Sequence, residues 1–527
     1  MSDDLNLTID GVALQVPKGT TILQAAEQVG VEIPTFCYHP GLSAPANCRM
    51  CLVNTNKSPK LLPACYATCM DGMEVQTQDE KTLRTRKSTL EFILLHHPVD
   101  CPICDQAGEC VLQDNYFEHS AQPSRLFNNK NHKPKAEIIG PNVVLDAERC
   151  IVCTRCVRFC EEVTETSELQ VVNRGNRTYV TTFPGQQLDN DYATCAADIC
   201  PVGALTSRDF RFKMRVWFLK TASSVCSGCS KGCNIHLDHG GGDVQRYRPR
   251  ENQAVNQWWM CDAGRLSYKE FETGRIVEAG LSRDDDAVSV REAIGYAARK
   301  FAGFKRQHGA DKVAVVPSLM STNEDIHALM RLSGAEGYGT WYVGGRPDGK
   351  ADALLQRADK NPNRAGLMAH LKASGTTNKP LSQLAADIRS GAVKAVVWVG
   401  HEHAADGALV DALASLDLRM VIASNASAWT SGADTLLPAA TFEEVNGTWT
   451  NEDGLTQQIH AGPKAKGLSE SQSALLYAFA RRLGHMDIKP PQSIAQAVSE
   501  LSQTAPEFAD LEWIEPPISG RPDQAAA

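Results

Sequence analysis

HHPVDCPICDQAGEC, residues 96–110, is the stretch on which the reading of this chain turns. Three cysteines stand at C-x2-C-x5-C spacing, with two histidines just upstream. Thiolates and an imidazole at such spacing are metal ligands first. His97, Cys101, Cys104 and Cys110 suit a zinc site of three thiolates and one imidazole. They equally suit an iron–sulfur cluster in which a neutral imidazole replaces one thiolate. That replacement removes a negative charge and so raises the reduction potential, as histidine ligation does in Rieske centres. Pro98 biases His97 out of the helix expected over 81–96 and into the loop, while His96 falls on the helix side. His97 is therefore the favoured ligand of the two.

The chain holds 18 cysteines, and none follows Cys261. The start, MSDDLNLTIDG, has neither a basic region nor an apolar run, so no export signal and no disulfide framework are expected. Cysteines at this density then read as metal ligands. No apolar run approaches the roughly 20 residues of a membrane span, so membrane contact is expected only through partners. A net charge of −9 argues against a nucleic-acid role. The basic runs KTLRTRK (81–87) and RYRPR (246–250) are expected to be solvated faces.

Three more groups surround the opening stretch. Cys37, Cys48, Cys51 and Cys65 suit a [2Fe–2S] cluster, with structural zinc as the alternative; their spacing differs from the plant-type pattern. In CIVCTRCVRFC (150–160), Cys150, Cys153 and Cys156 form a C-x2-C-x2-C run, and the Cys–Pro step comes later, at Cys200–Pro201. One [4Fe–4S] on Cys150, Cys153, Cys156 and Cys200 follows. Cys226, Cys229 and Cys233 with Cys261 suit another [4Fe–4S] or a zinc ribbon; Ser227, Gly228 and Gly232 let the backbone wrap closely. Cys69, Cys160 and Cys195 remain, the last two read as buried thiols. One [2Fe–2S] and three [4Fe–4S] clusters in one chain form a path for electrons rather than a substrate-converting site.

At 527 residues the chain has room for three to five domains. LNLTI, the Asp10–Gly11 turn, VALQVPKG and the helical TILQAAEQVG predict a β-grasp [2Fe–2S] domain over 1–80. A helical cluster domain over 81–120, with its one histidine and three cysteines, comes next. A polar connector at 121–140 and a ferredoxin-like [4Fe–4S] domain over 141–217 follow. A further [4Fe–4S] domain covers 218–274. From 275 to 527, DKVAVVPS (311–318), KAVVWVG (394–400) and LRMVIASN (418–425) read as buried parallel strands of a doubly wound α/β region, with a helix at 406–416. The chain as a whole is a multidomain mix of α/β and α+β, and EPPISGRPDQAAA (515–527) reads as a loose tail. No triad or P-loop emerges, and the Gly-rich HGGGDVQ (239–245), with no strand before it and no helix after, reads as a turn.

Taken in order, the four groups resemble one family, the large peripheral iron–sulfur subunit of bacterial proton-pumping NADH-quinone oxidoreductase, respiratory complex I. HHPVDCPICDQAGEC, RCIVCTRCVRFC and DICPVGAL carry the resemblance, which covers at least residues 1–275. It implies that His97 ligates a [4Fe–4S] cluster. It implies electrons arriving from a flavin- and NADH-binding subunit and leaving toward a ferredoxin-like 8Fe subunit and the quinone-site subunits. It places the chain peripherally on the cytoplasmic face of the bacterial inner membrane. It puts the first three clusters on the main route and the fourth beside it.

The C-terminal region resembles a truncated molybdopterin oxidoreductase domain. Of the N-x-E-G-R-x-Q pattern of the working enzymes, Asn451, Gly454 and Gln457 remain, while Asp453 and Leu455 replace Glu and Arg. Ala263 stands in CDAGR where those enzymes carry Lys, and no cysteine after Cys261 could ligate molybdenum. The resemblance therefore implies a relic without molybdopterin. The competing readings are the catalytic subunit of an NAD-linked formate dehydrogenase, the electron-input part of an NAD-reducing hydrogenase, and a zinc-bearing scaffold.

Overall fold

Asp10 and Gly11 both adopt left-handed backbone, φ 47° and 85°. That is the twist a two-residue hairpin needs, and it joins β1 (Asp4–Ile9) to β2 (Val12–Pro17). The structure is a computed structural model that describes residues 4–120, 122–282, 287–404, 406–502, 505 and 508–514. The tail expected at 515–527 lies outside the described residues. The chain divides into two units, residues 1–219 and 220–527.

In the first unit, α1 (Ile22–Gln28) opens with a Thr21/Gln24 capping box. Three strands follow: β3 (Leu52–Thr55), β4 (Ser58–Pro63) and β5 (Met73–Gln76). The sheet order is β2-β1-β5-β3-β4, with β1 and β5 parallel. Ile22, Leu23, Ala25 and Ala26 of α1 share one core with Leu7, Ile9, Val53 and Val75, which makes the β-grasp. Next comes α2 (Glu80–Leu94), whose buried face is Thr82, Arg86 and Leu90 at i, i+4, i+8. The run 81–87 is therefore not a wholly solvated face: Arg86 is 0% exposed, and none of its three guanidinium nitrogens has a hydrogen-bond partner among the described residues.

After α3 (Val111–His119), β6 (Glu137–Ile138) starts inside the stretch expected to be connector and pairs with β7 (Val143–Leu145). The rest is α4 (Arg155–Glu162), the hairpin β8 (Leu169–Val172) and β9 (Tyr179–Thr182), α5 (Cys195–Asp198) and β10 (Leu205–Ser207), which pairs with β7.

The second unit begins with an antiparallel sheet, β11 (Lys220–Val225), β12 (Asn234–Gly240) and β13 (Asp243–Pro249), followed by short helices α6 (Asp262–Arg265) and α7 (Tyr268–Glu272). HGGGDVQ is a turn, as expected, with Gly241 and Gly242 at φ 67° and 93°, but a strand does precede it. The RYRPR run is not a solvated face. Arg246 and Arg248 both pair with buried Asp238, at 2.8 and 2.7 Å, and Tyr247 is fully buried. Alternating strand residues had to point to opposite faces.

Seven further strands make a doubly wound sheet: β14 (Gly280–Leu281), β15 (Val313–Val316), β16 (Trp341–Val343), β17 (Asn378–Pro380), β18 (Ala395–Val399), β19 (Leu418–Ala423) and β20 (Thr435–Pro438). Their order is β14-β20-β19-β18-β15-β16-β17, all neighbours parallel except β14 and β20. Val313, Val315, Val397, Met420 and Ile422 pack into one core with α8 (Val290–His308) and α9 (Asn323–Glu336). Ala314, Val316, Val396, Trp398 and Val421 face the other core. Both faces are covered, which is why these strands read as unbroken apolar runs. The hairpin β21 (Gly447–Thr450) and β22 (Thr456–Ile459) follows. Among the described residues no helix is long and apolar enough to cross a membrane.

Glu324 of α9 is buried and accepts hydrogen bonds from Thr448 N at 2.9 Å and Thr448 Oγ1 at 3.1 Å. Burial outweighs these bonds and pushes its carboxyl up to about 8. Its contribution to stability is complete below the ordinary value of 4.5 and is lost as pH rises through about 8. Glu324→Gln is expected to raise the melting temperature at pH 8 by about 5–10 °C, from a gain on the order of 3 kcal/mol. The gain should fade toward pH 5, which thermal melts at both pH values would check.

Candidate metal centres

The first ligand set lies in the loop after α1 and at the ends of β3 and β4. Cys37, Cys51 and Cys65 are buried and Cys48 half-buried. Cys51 Sγ and Cys65 Sγ are 3.4 Å apart. Ala46 and Arg49 take left-handed backbone (φ 51° and 60°), which lets the loop curl round the sulfurs. Hydrogen bonds from Cys48 and Cys65 pull the Cys37 thiol down to about 2, and the same sharing pushes Cys48 and Cys65 up. Four sulfurs this close must share protons in the iron-free chain, and iron binding would replace them.

The second set follows α2. His97 falls in the loop beyond the helix, as expected. Cys101 opens a single 3-10 turn (Cys101–Ile103) that Cys104 closes, and Cys110 is the N-cap of α3. The amides of Leu112 and Gln113 point at the Cys110 sulfur, yet burial pushes its thiol up to about 11. The two histidines differ sharply. His96 Nδ1 accepts from Asn131 N at 3.3 Å, whereas His97 Nδ1 is buried with no partner among the described residues. The His97 ring also bonds the backbone of Arg149. Burial first, then the charge of Arg149, lowers His97 to about 4, so the imidazole is neutral at physiological pH and able to ligate. A ring fixed by a backbone bond on one side and left bare on the other is the arrangement ligating histidines show. Arg149 is 6% exposed and is held by Asp100 at 2.5 Å and Asp146 at 3.1 Å.

The third set lines one largely enclosed cavity. Cys150, Cys153, Cys156 and Cys200 form its wall together with Leu145, Ile151, Val180, Val202, Ala204 and Leu205. Val152 and Thr154 are left-handed (φ 53° and 63°), turning the C-x2-C-x2-C run inward. Past Pro201, the amides of Val202, Ala204 and Leu205 converge on the Cys200 sulfur. Burial pushes Cys150 up to about 11 and Cys153 up to about 12, so these thiols ionise only when metal replaces the proton. Cys160 and Cys195 are fully buried.

The fourth set belongs to the second unit. A Cβ placed on Gly264 would lie 2.8 Å from Cys226 Sγ and 3.3 Å from Cys261 Sγ, so only glycine allows the two sulfurs their approach. Gly228 N donates to Cys226 Sγ at 3.4 Å and Gly264 N to Cys261 Sγ at 3.3 Å. Cys229 and Cys233 lie within electrostatic reach of both. The β21–β22 hairpin braces this loop. Asn451 donates to Lys231 O at 3.1 Å, Gln457 to Gly232 O at 2.9 Å, and Lys231 pairs with Asp453 at 3.1 Å. The surviving Asn451 and Gln457 thus hold the cysteine loop itself, a role their motif spacing did not disclose.

Among the described residues no three His, Cys, Asp or Glu side chains converge on a position for a single ion. A cluster spreads its thiolates over several irons, so its ligands need not meet at one point.

The three sets of the first unit are joined. Phe36, Met50, Leu90, Cys110, Leu112, Val202 and Ala204 form one apolar cluster, with Cys48, Cys150 and Cys200 packed against it. Cys110 Sγ lies 3.8 Å from Pro201 O, and a Cβ on Gly203 would fall 2.5 Å from Cys104 Sγ. Arg158 donates to Cys37 O at 2.5 Å and reaches Cys153 O at 3.5 Å. The third set's loop therefore abuts the second set, and Arg158 and the shared apolar cluster tie the third set to the first, although the third comes last in sequence. Sequence reasoning missed Arg149, Arg155 and Arg158; the i, i+3, i+7 recurrence of Arg155, Arg158 and Glu162 on α4 was the available signal.

Five family models match in the same order. They are a 2Fe-2S iron-sulfur cluster binding domain (2–80), the NADH-ubiquinone oxidoreductase-G iron-sulfur binding region (86–125) and the ferredoxin-like domain of NADH-quinone oxidoreductase subunit 3 (140–206). The molybdopterin oxidoreductase Fe4S4 domain (219–272) and molybdopterin oxidoreductase (345–482) complete the set. The matching NADH-quinone oxidoreductase subunit of Rickettsia conorii is 37% identical over 330 residues, 62% of this chain and 48% of that protein. The NADH-ubiquinone oxidoreductase 75 kDa subunit of Reclinomonas americana is 42% identical over 272 residues, 52% of this chain and 39% of that one. Over these residues the chain is similar to this large iron–sulfur subunit of NADH-quinone oxidoreductase. These matches span less than half of each relative's length. A chain of an NAD+-reducing [NiFe]-hydrogenase covers 40% of this chain and 91% of its own length at 28% identity, with a TM-score of 0.37, too low to equate the folds. The chain thus combines iron–sulfur domains of the 2Fe–2S and 4Fe–4S types with a molybdopterin oxidoreductase-type domain.

Proposed function

We propose that this chain is the iron–sulfur electron conduit of a NADH:quinone oxidoreductase. One observation carries the reading: three ligand sets in one unit share an apolar core, with the loop of the third against the second and Arg158 bridging the third to the first. A string of ligand sets packed around one core suits transfer between partners better than chemistry on a bound substrate. The ligands in this reading are Cys37, Cys48, Cys51 and Cys65 for a [2Fe–2S]. For the [4Fe–4S] clusters they are His97, Cys101, Cys104 and Cys110; then Cys150, Cys153, Cys156 and Cys200; then Cys226, Cys229, Cys233 and Cys261. The clusters supply one-electron redox chemistry; the chain supplies buried pockets, N–H···S bonds and fixed spacing. Electrons enter from a flavin- and NADH-binding subunit and leave for an 8Fe ferredoxin-like subunit and the quinone site. The chain sits on the cytoplasmic face of the membrane through those partners.

The second unit carries no molybdopterin in this reading. In a doubly wound sheet the ligand crevice lies beyond the strand ends where the order reverses, here between β15 and β18. Glu402 fills that place, bonded to Ser318 Oγ at 2.5 Å and Leu319 N at 3.1 Å, and Trp398 and Trp429 both donate to Gly400 O.

The test is iron, acid-labile sulfide, zinc and molybdenum per chain on anaerobically purified protein. About 14 iron atoms without molybdenum are expected. About ten irons with one zinc would give one four-ligand set a structural role. Stoichiometric molybdenum would make the second unit an active site and sink the conduit reading.

A further inference from the structure

The α4 helix presents Arg155, Arg158 and Glu162 along one face. Its first turn carries Cys156 of the third set, but these three side chains work on the loops around it. Arg158 is 7% exposed. Its Nη2 donates to the carbonyl of Cys37 at 2.5 Å and reaches that of Cys153 at 3.5 Å. Its Nη1 donates to Ser43 O, and its Nε to Thr154 Oγ1 at 3.3 Å. Glu162 holds the far end of the same loop, accepting from Ser43 N at 2.8 Å and Ser43 Oγ at 2.5 Å. Arg155 donates to Ile199 O at 3.2 Å, next to Cys200. It interacts electrostatically with Cys153 and Cys200 of the third set and with Cys37 and Cys48 of the first.

Arg158 has no carboxylate within ion-pair distance among the described residues; its partners are carbonyls and a hydroxyl. A buried cation needs compensating negative charge. With metal bound, the thiolates of the two ligand sets it bridges would supply it. Arginine suits the place because its planar fork can hold several carbonyls in fixed directions, which a lysine ammonium cannot.

We propose that Arg158 is a positioning residue that fixes the first ligand set against the third and provides the hydrogen-bonded path between them. The proposal rests on the electron-conduit reading. With clusters bound, the two sets would supply one-electron redox chemistry, and Arg158 would hold the loops of Cys37 and Cys153 that carry them. No bond forms or breaks.

The test uses the full chain carrying Arg158→Gln or Arg158→Lys. Iron per chain is measured, together with the low-temperature paramagnetic resonance of the reduced protein. The informative readout is how strongly the third centre speeds the spin relaxation of the first, since this depends on their separation. In Arg158→Gln, iron content should hold while the relaxation enhancement falls severalfold; Arg158→Lys should recover part of it. Full iron with unchanged enhancement in Arg158→Gln overturns the proposal. If Arg158→Gln loses iron, Glu162→Gln decides: a reduced enhancement supports the clamp and an unchanged one overturns it. Wild-type protein without both signals would defeat the conduit reading itself, a result distinct from either.

Discussion

Cys200→Ser is expected to empty the third ligand set and cut electron passage through the first unit almost completely. The serine oxygen replaces a thiolate in a wall where three amides, those of Val202, Ala204 and Leu205, already point at the sulfur. The cavity is otherwise apolar apart from the other cysteines and Thr154, so a poor ligand finds no substitute nearby. The damage is not local. The 200–204 loop also abuts the second set, through Pro201 O to Cys110 and Gly203 to Cys104. Iron should fall by about four atoms per chain. Electron passage should fall well beyond the roughly 10–100-fold cost of outer-sphere changes around metal sites. The control is Cys261→Ser, which should lose a similar amount of iron yet spare most NADH-to-quinone flux. Parallel iron analysis and flux measurements on the assembled oxidoreductase check both, and equal flux losses in the two variants would end the side-branch view of the fourth set.

His97→Cys is expected to keep the second cluster but move its midpoint to a more negative potential, by on the order of 100 mV or more. Replacing a neutral ring with a thiolate adds one negative charge directly to the cluster. The site is prepared for the neutral ligand: burial and the nearby Arg149 charge hold His97 down to about 4, and its bare Nδ1 has no other partner. Arg149 is itself fixed by Asp100 and Asp146, so the backbone that bonds the imidazole is not free to shift. Redox titration followed by low-temperature paramagnetic resonance measures the change. His96→Cys should leave the potential where it is, because His96 is engaged with Asn131 N. Identical behaviour of the two variants would remove His97 from the ligand set.

Much of this was local enough to be read from residue order. A DG pair at Asp10–Gly11 has few ways to turn between two alternating strands, and the spacing of TILQAAEQVG is helical. The apolar runs at 313–316, 395–399 and 418–423 read as strands covered on both faces, and they are. Pro98 ended the helix in front of His97 for a steric reason confined to adjacent residues. The two basic runs were misread because charge suggests solvent, while position on the element decides. Arg86 falls on the buried stripe of α2, and Arg246 and Arg248 face Asp238 across a hairpin.

The sequence by itself determined the cysteine groups, their local loops and the kinds of element that carry them, because ligand spacing, turn chemistry and hydrophobic period act over a few residues. Only the tertiary structure decided that the third group's loop abuts the second group and that the third is tied to the first through Arg158. It also decided that Arg158 clamps Cys37 from 121 residues away and that Asn451 and Gln457 brace a loop 220 and 225 residues upstream. Those contacts come from packing separate elements onto a shared core, and such long-range closure leaves no periodic trace in the order of residues.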